Sequence, residues 1–257
     1  MTTLAVVELP TGPRRPALDR DVAMRLAAHE YELLTEHLQR LPAAAWRQPT
    51  ACPGWDVHRM ACHVLGMAEF AASPVEQARQ MAAAKRKDGL LVDALTGLQV
   101  AKHAHRTSED VVARLAVVGV RAARGRRRTP ALLRRVPLGG QPIDETGTAT
   151  ETWTLGYLTD VILTRDTWMH RSDVAAATDT AMQLTADHDG VLVADVAAEW
   201  AARHGRPCTL TLTGPAGGTW TWGSGGPSYE LDAVQFCRIL SGRATTAEGL
   251  LATRVPF

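Results

Sequence analysis

At 257 residues the chain has room for one large domain or two modest ones with a real core. Its 46% hydrophobic and 21% charged content are those of an ordinary globular protein, and a formal net charge of +1 gives no overall attraction to nucleic acid or to a membrane surface. Four cysteines, Cys52, Cys62, Cys208 and Cys237, form no CxxC pair, so reduced thiols in a cytoplasmic setting are expected rather than a disulfide framework. No apolar run approaches the ~20 residues of a membrane span.

Residues 1–16 contain three prolines without periodicity and read as a flexible arm. From Ala17 to Leu41 apolar residues recur at three- and four-residue spacing, predicting a helix that Pro42 closes. A connector with Pro49 and Pro53 follows. Asp56 then reads as the N-cap of a second helix, which Ser73-Pro74 breaks. His63 lies two turns inside that helix, a rigid mount for a ligand. Residues 90–125 form a third helical region with a fresh start near Thr107-Ser-Glu-Asp110.

Seven arginines between Arg121 and Arg135, including Arg126-Arg-Arg128, read first as a solvated connector and helix end. A basic rim for an anionic small molecule is the functional reading. Interleaved aromatics are lacking, so a single-stranded nucleic-acid surface is not indicated. Gln141–Thr150 is expected to be a loop, and Glu151 to about Ala177 a long helix. After Thr178 come a helix over Leu184–His204 and two alternating strands, Cys208–Thr213 and Thr219–Trp222. A short strand, Ser228–Asp232, and a helix over Ala233–Leu240 complete the chain. The fold class expected is α+β and mainly α: a helical bundle over 17–178 and a small α+β domain over 179–257.

The chemistry concentrates in Arg165-Asp166-Thr-Trp-Met-His170-Arg-Ser-Asp173. Asp166 and His170, four residues apart on a helix, share one face at the spacing two metal ligands need. An exposed ion pair is the plainer reading of that spacing. The best candidate for a third ligand is His63. Two imidazoles and a carboxylate would hold a divalent cation and leave positions open. His103 and His105 point to different helix faces and are expected at the surface. His58 is expected to be solvated, and Cys62, about 100° from His63 around the helix, to be a small core residue. Cys52 is expected to serve packing, and Asp173 to orient Arg171 or cap a neighbour.

Trp46-x-x-Pro49-Thr50-x-Cys52-Pro53-Gly54-Trp55-Asp56-Val57 with His63, the Arg165–Asp173 segment, and the tail Leu231–Arg243 occur in this order. Together they resemble the mycothiol-dependent maleylpyruvate isomerase family over nearly the whole chain. The resemblance implies a DinB-like four-helix bundle followed by a small sterol-carrier-like α+β domain. It also implies a divalent metal (zinc foremost, iron or nickel otherwise) on His63, Asp166 and His170, with mycothiol as the thiol cofactor. Arg243 matches a family arginine facing the active site. The family's carboxylate is often Glu, so Asp166 is one methylene shorter.

The implied reaction is addition of a metal-activated thiolate to an electrophilic small molecule, giving an isomerase or thiol transferase, as a monomer or homodimer and without nucleic acid or membrane. The residues themselves leave two other readings open. One is a hydrolase or lyase using metal-activated water; the other is a non-catalytic metal- or ligand-binding module.

Overall fold

The computed structural model describes residues 12–143, 149–244 and 248–257. The described residues fold as two compact units, and each interrupts the other along the sequence: 18–134 with 158–183, and 12–17 with those described in 135–157 and 184–257. The fold is α+β and mainly helical, as the periodicity implies. Among the described residues, no helix is long and apolar enough to cross a membrane.

The first unit holds six helices: α1 (Arg20–Gln39), α2 (Val57–Ala72), α3 (Pro74–Ala84), α4 (Leu91–His103), α5 (Ser108–Arg128) and α6 (Leu163–Thr178). Their starts are set locally. Asp19 accepts hydrogen bonds from the Asp21 and Val22 backbone, and Asp56 accepts from Arg59 N at 2.8 Å. Ser73 caps α3 with Pro74 in its first turn, where the missing N–H costs nothing, and Thr107 caps α5. Helix α2 packs on α5 and α6, α1 packs on α5 and α6, and α4 lies against α2 and α3. Leu34, Leu38, Val57, Leu65, Val111 and Leu115 are fully buried between these helices.

In the second unit, β1 (Pro137–Pro142) pairs antiparallel with β2 (Thr150–Thr154). The Arg14 backbone flanks β2, donating to Thr152 O and accepting from Thr154 N. Residues 1–11 of the expected arm lie outside the described residues. Helix α7 (Val191–His204), strands β3 (Cys208–Thr213), β4 (Gly218–Trp222) and β5 (Ser228–Asp232), and α8 (Ala233–Leu240) follow. Strand β3 is central, antiparallel to β4 and parallel to β5. Trp200 anchors this core, its ring edge-on to Phe236, Trp222 and Tyr229.

Two boundaries differ from the sequence reading. The helix expected from Glu151 begins only at Leu155, because Thr150-Glu-Thr-Trp-Thr154 is strand β2; the loop expected over Gln141–Thr150 shares its ends with the same hairpin. Thr and Trp in alternation favour a pleated strand over a helix. Residues Leu158–Ile162 then form a π-helical segment that leads into α6. Arg126 from α5 donates to Thr159 O at 2.6 Å and to the Thr164 hydroxyl, tying α5 to this entry. Arg126 is only 2% exposed, which corrects the expectation of a uniformly solvated arginine run. Its neighbours Arg124 and Arg127 do face outward, since only one arginine per turn can point into the core.

Candidate metal centre

Helix α6 is buried on almost every side, so each polar group on it requires a partner. Arg171 meets Glu30 of α1 through two bonds of 2.7 and 3.0 Å, both side chains being 1% exposed. Asp166 and His170 lie one turn apart on the side facing α2. His63 approaches them from α2, and the ligand atoms of these three residues lie within 4.8 Å of one another.

His63 Nε2 is 3.7 Å from Asp166 Oδ2, and His170 Nε2 is 3.4 Å from Asp166 Oδ1. The two imidazole planes are nearly perpendicular, at 88°, with ring centroids 5.1 Å apart. Four ligands on a tetrahedral zinc at ~2.0–2.1 Å would sit about 3.3 Å apart, and the two imidazole–carboxylate contacts, each to a different Asp166 oxygen, are near that spacing.

The outer nitrogens are held too. His63 Nδ1 is 2.8 Å from Gln99 Oε1, an oxygen that can only accept. Nδ1 therefore carries the proton, and Nε2 turns a lone pair toward Asp166. Asp166 Oδ2 is itself buried and has no hydrogen-bond partner. With the ring neutral, two acceptors thus face each other, an arrangement that a proton on Nε2 or a metal cation completes. On the other ring, His170 Nδ1 lies 3.4 Å from the buried carboxylate of Asp173.

The electrostatics agree. Burial pushes Asp166 toward the neutral acid, but His170 and His63 outweigh it and hold its carboxyl well below the usual range. Burial likewise disfavours a charged His170, yet Asp166, Asp173 and Cys52 raise its proton affinity well above that of a free imidazole. A buried positive charge is what this pocket stabilises.

The loop over residues 48–57 closes one side. Thr50 N bonds Trp55 O, Val57 N bonds Gln48 O, and Trp55 N bonds Cys52 O across Pro53-Gly54, with Gly54 at φ 77°. Proline followed by a positive-φ glycine is the pattern of a type II turn, so this short sequence fixes its own shape. The turn places the half-buried Trp55 ring 5.1 Å from His63 and 6.3 Å from His170. It also brings Cys52 Sγ close to His170 and Asp173, a more specific position than the packing role expected of it.

Of the sequence candidates, His63, Asp166 and His170 come together in the first unit. Arg243 belongs to the second unit, where its backbone N–H bonds Arg238 O just past α8. Cys62 is fully buried, as expected, and burial pushes its thiol up to about 12. Two histidine expectations are corrected. His103 is completely buried, its Nε2 3.1 Å from Glu69 and its Nδ1 accepting from Arg106. His58 is half-buried and bonds Arg106 O at 3.0 Å. Both are drawn in by helix neighbours that periodicity in one helix does not reveal. Gln99, Gln80 and the Asp173–His170 contact escape a reading of the sequence, because isolated glutamines carry no local signature.

Three potential metal ligands thus converge within a mainly helical α+β protein. Residues 27–175 match the mycothiol maleylpyruvate isomerase N-terminal domain, and the chain belongs to that family. It is similar to an uncharacterised protein of Mycobacterium tuberculosis, found in strains CDC 1551 and H37Rv, at 26% identity over 238 residues; the match covers 86% of this chain and 83% of the relative. Its fold is similar to crystal structures of the mycothiol-dependent maleylpyruvate isomerase, native and with a histidine-to-alanine substitution. Those matches have a TM-score of 0.55 and 15% identity, covering 88% of this chain and 90% of the other.

Proposed function

We propose that the chain is a metal- and mycothiol-dependent enzyme of the isomerase or thiol-transferase type, with His63, Asp166 and His170 holding one divalent cation, zinc foremost. The observation that carries the metal is the pair of facing acceptors, the His63 Nε2 lone pair and the orphaned Asp166 Oδ2. Family membership carries the thiol. A divalent metal supplies Lewis acidity that favours thiolate over thiol at neutral pH.

The protein's own part is positioning. Gln99 and Asp173 hold the two outer imidazole nitrogens, so both Nε2 atoms point inward and would present electron pairs to a metal once it displaces the proton that His170 shares with Asp166. Asp166 contributes one negative charge, leaving a site of net positive charge for an anionic sulfur. Three protein ligands leave at least one position open. Trp55 supplies a flat apolar wall against which a planar unsaturated substrate can lie. Bound mycothiol would supply a nucleophilic thiolate able to add reversibly to a double bond whose activating carbonyl takes up the electron pair, the chemistry that a cis–trans isomerisation needs. Arg243, assigned by resemblance, is proposed to hold a substrate carboxylate.

Elemental analysis of the purified protein and of His170→Ala is the test, followed by incubation of the loaded protein with mycothiol and maleylpyruvate. About one equivalent of metal, lost in the variant, with mycothiol-dependent isomerisation supports the proposal. Metal without thiol-dependent turnover would favour metal-activated water, and no metal after reloading would leave a non-catalytic binding module.

A further inference from the structure

Beyond the three candidate ligands, the structure contains a directional chain of side-chain amides that ends on His63. Gln80 Nε2 is 3.1 Å from Gly66 O and 3.0 Å from Glu76 Oε1. A carbonyl only accepts. The Glu76 carboxyl, held down to about 2 by the Arg79 guanidinium and further bonds, is ionised and only accepts as well. Gln80 therefore has one possible orientation, with its oxygen turned the other way. That oxygen lies 2.9 Å from Gln99 Nε2, which must donate to it. Gln99 Nε2 also reaches Met67 Sδ, another acceptor, at 2.9 Å. Gln99 Oε1 is consequently left to face His63 Nδ1 at 2.8 Å and can only accept its proton.

We propose that Gln80, acting through Gln99, is a positioning residue that selects the Nδ1–H tautomer of His63 and so keeps Nε2 free for a cation. Gln80 and Gln99 are 5% and 1% exposed, so water does not compete for these bonds. Gly66 makes the arrangement possible: a Cβ there would come within 2.5 Å of Gln99 Cβ, and its own carbonyl is the acceptor that starts the chain. The relay's consequence for metal affinity rests on the metal reading above. The tautomer itself does not.

The test is nitrogen-15 NMR of the histidine rings in metal-free protein at pH 8, paired with zinc affinity by competition with a chelator. In the native chain the His63 ring is expected to carry its proton on Nδ1. In Gln80→Leu the Gln99 amide is free to turn and offer N–H instead, so the Nε2–H form should appear and zinc affinity fall on the order of tenfold. Gln99→Glu has no amide to turn; combined with Gln80→Leu it should restore the Nδ1–H form. A native ring protonated on Nε2, an unchanged tautomer in Gln80→Leu, or no restoration by Gln99→Glu would overturn the proposal. If native protein binds no zinc, the metal reading fails, while the ring tautomer still decides the relay.

Discussion

His170 stands between two carboxylates of its own helix, with Nδ1 3.4 Å from Asp173 Oδ2 and Nε2 3.4 Å from Asp166 Oδ1. One imidazole thus takes its orientation from a fully buried acid and presents its other nitrogen to a partly open one. A carboxylate behind an imidazole fixes the ring and raises its basicity as a ligand. Asp173→Leu should therefore lower zinc affinity by about 10–100-fold. Asp173→Asn keeps an acceptor oxygen and should lose less. Chelator competition on both variants checks the order, with circular dichroism to verify that α6 persists; equal losses would show that Asp173 does not act through the ring.

The crossing of α2 and α4 at Gly66 leaves no room for a side chain. Gly66→Ala should cost about 1–3 kcal/mol, the range for overpacking a tight core contact. The strain falls on Gln99, so zinc affinity should drop together with stability. Urea unfolding and chelator competition on the same variant test this, and an unchanged midpoint would mean that α4 gives way freely.

Glu30 and Arg171 form a buried pair that joins α1 to α6. Removing one charge leaves the other in a low-dielectric setting, so Arg171→Met should destabilise by about 3–5 kcal/mol. The double change Glu30→Leu with Arg171→Met should recover much of that loss, because no charge then remains buried. A double variant weaker than the single one, measured by thermal melting, would refute this account.

Acid should unfold the first unit through Glu69 and Glu76. Burial raises Glu69, but bonds from His103 and Lys102 prevail and bring it down to about 2; for Glu76, Arg79 leads, with Lys102 helping, again to about 2. Folded values below the ordinary carboxylate range mean that the unfolded chain binds protons first. The stabilisation is then complete above about pH 4.5 and is lost as pH falls toward 2. Lys102→Met removes a cation shared by both acids, so its cost in urea unfolding should be larger at pH 6 than at pH 2.5. A cost independent of pH would place the effect of Lys102 in packing instead.

Local chemistry accounts for what is legible before folding. Asp56, Ser73-Pro74 and Thr107 cap helices by bonds that span only three residues, and each helix starts where they predict. The four-residue spacing of Asp166 and His170 puts both on one face for the same reason. Glu151 departs from its helical expectation because the strand that it joins is paired with Pro137–Pro142, and pairing is not visible within one segment.

Read without the fold, the sequence already places the capped starts of α2, α3 and α5, the α+β class, and the histidines and carboxylate that are candidates for a shared centre. Packing alone decided that His63 reaches Asp166 across about a hundred residues, that Gln99 and Asp173 stand behind the two imidazoles, and that His103 and Arg126 are buried rather than solvated. The division has a physical cause: caps and periodicity depend on neighbours within a turn. The tautomer of a ring and the burial of a charge depend on what a second helix brings against it.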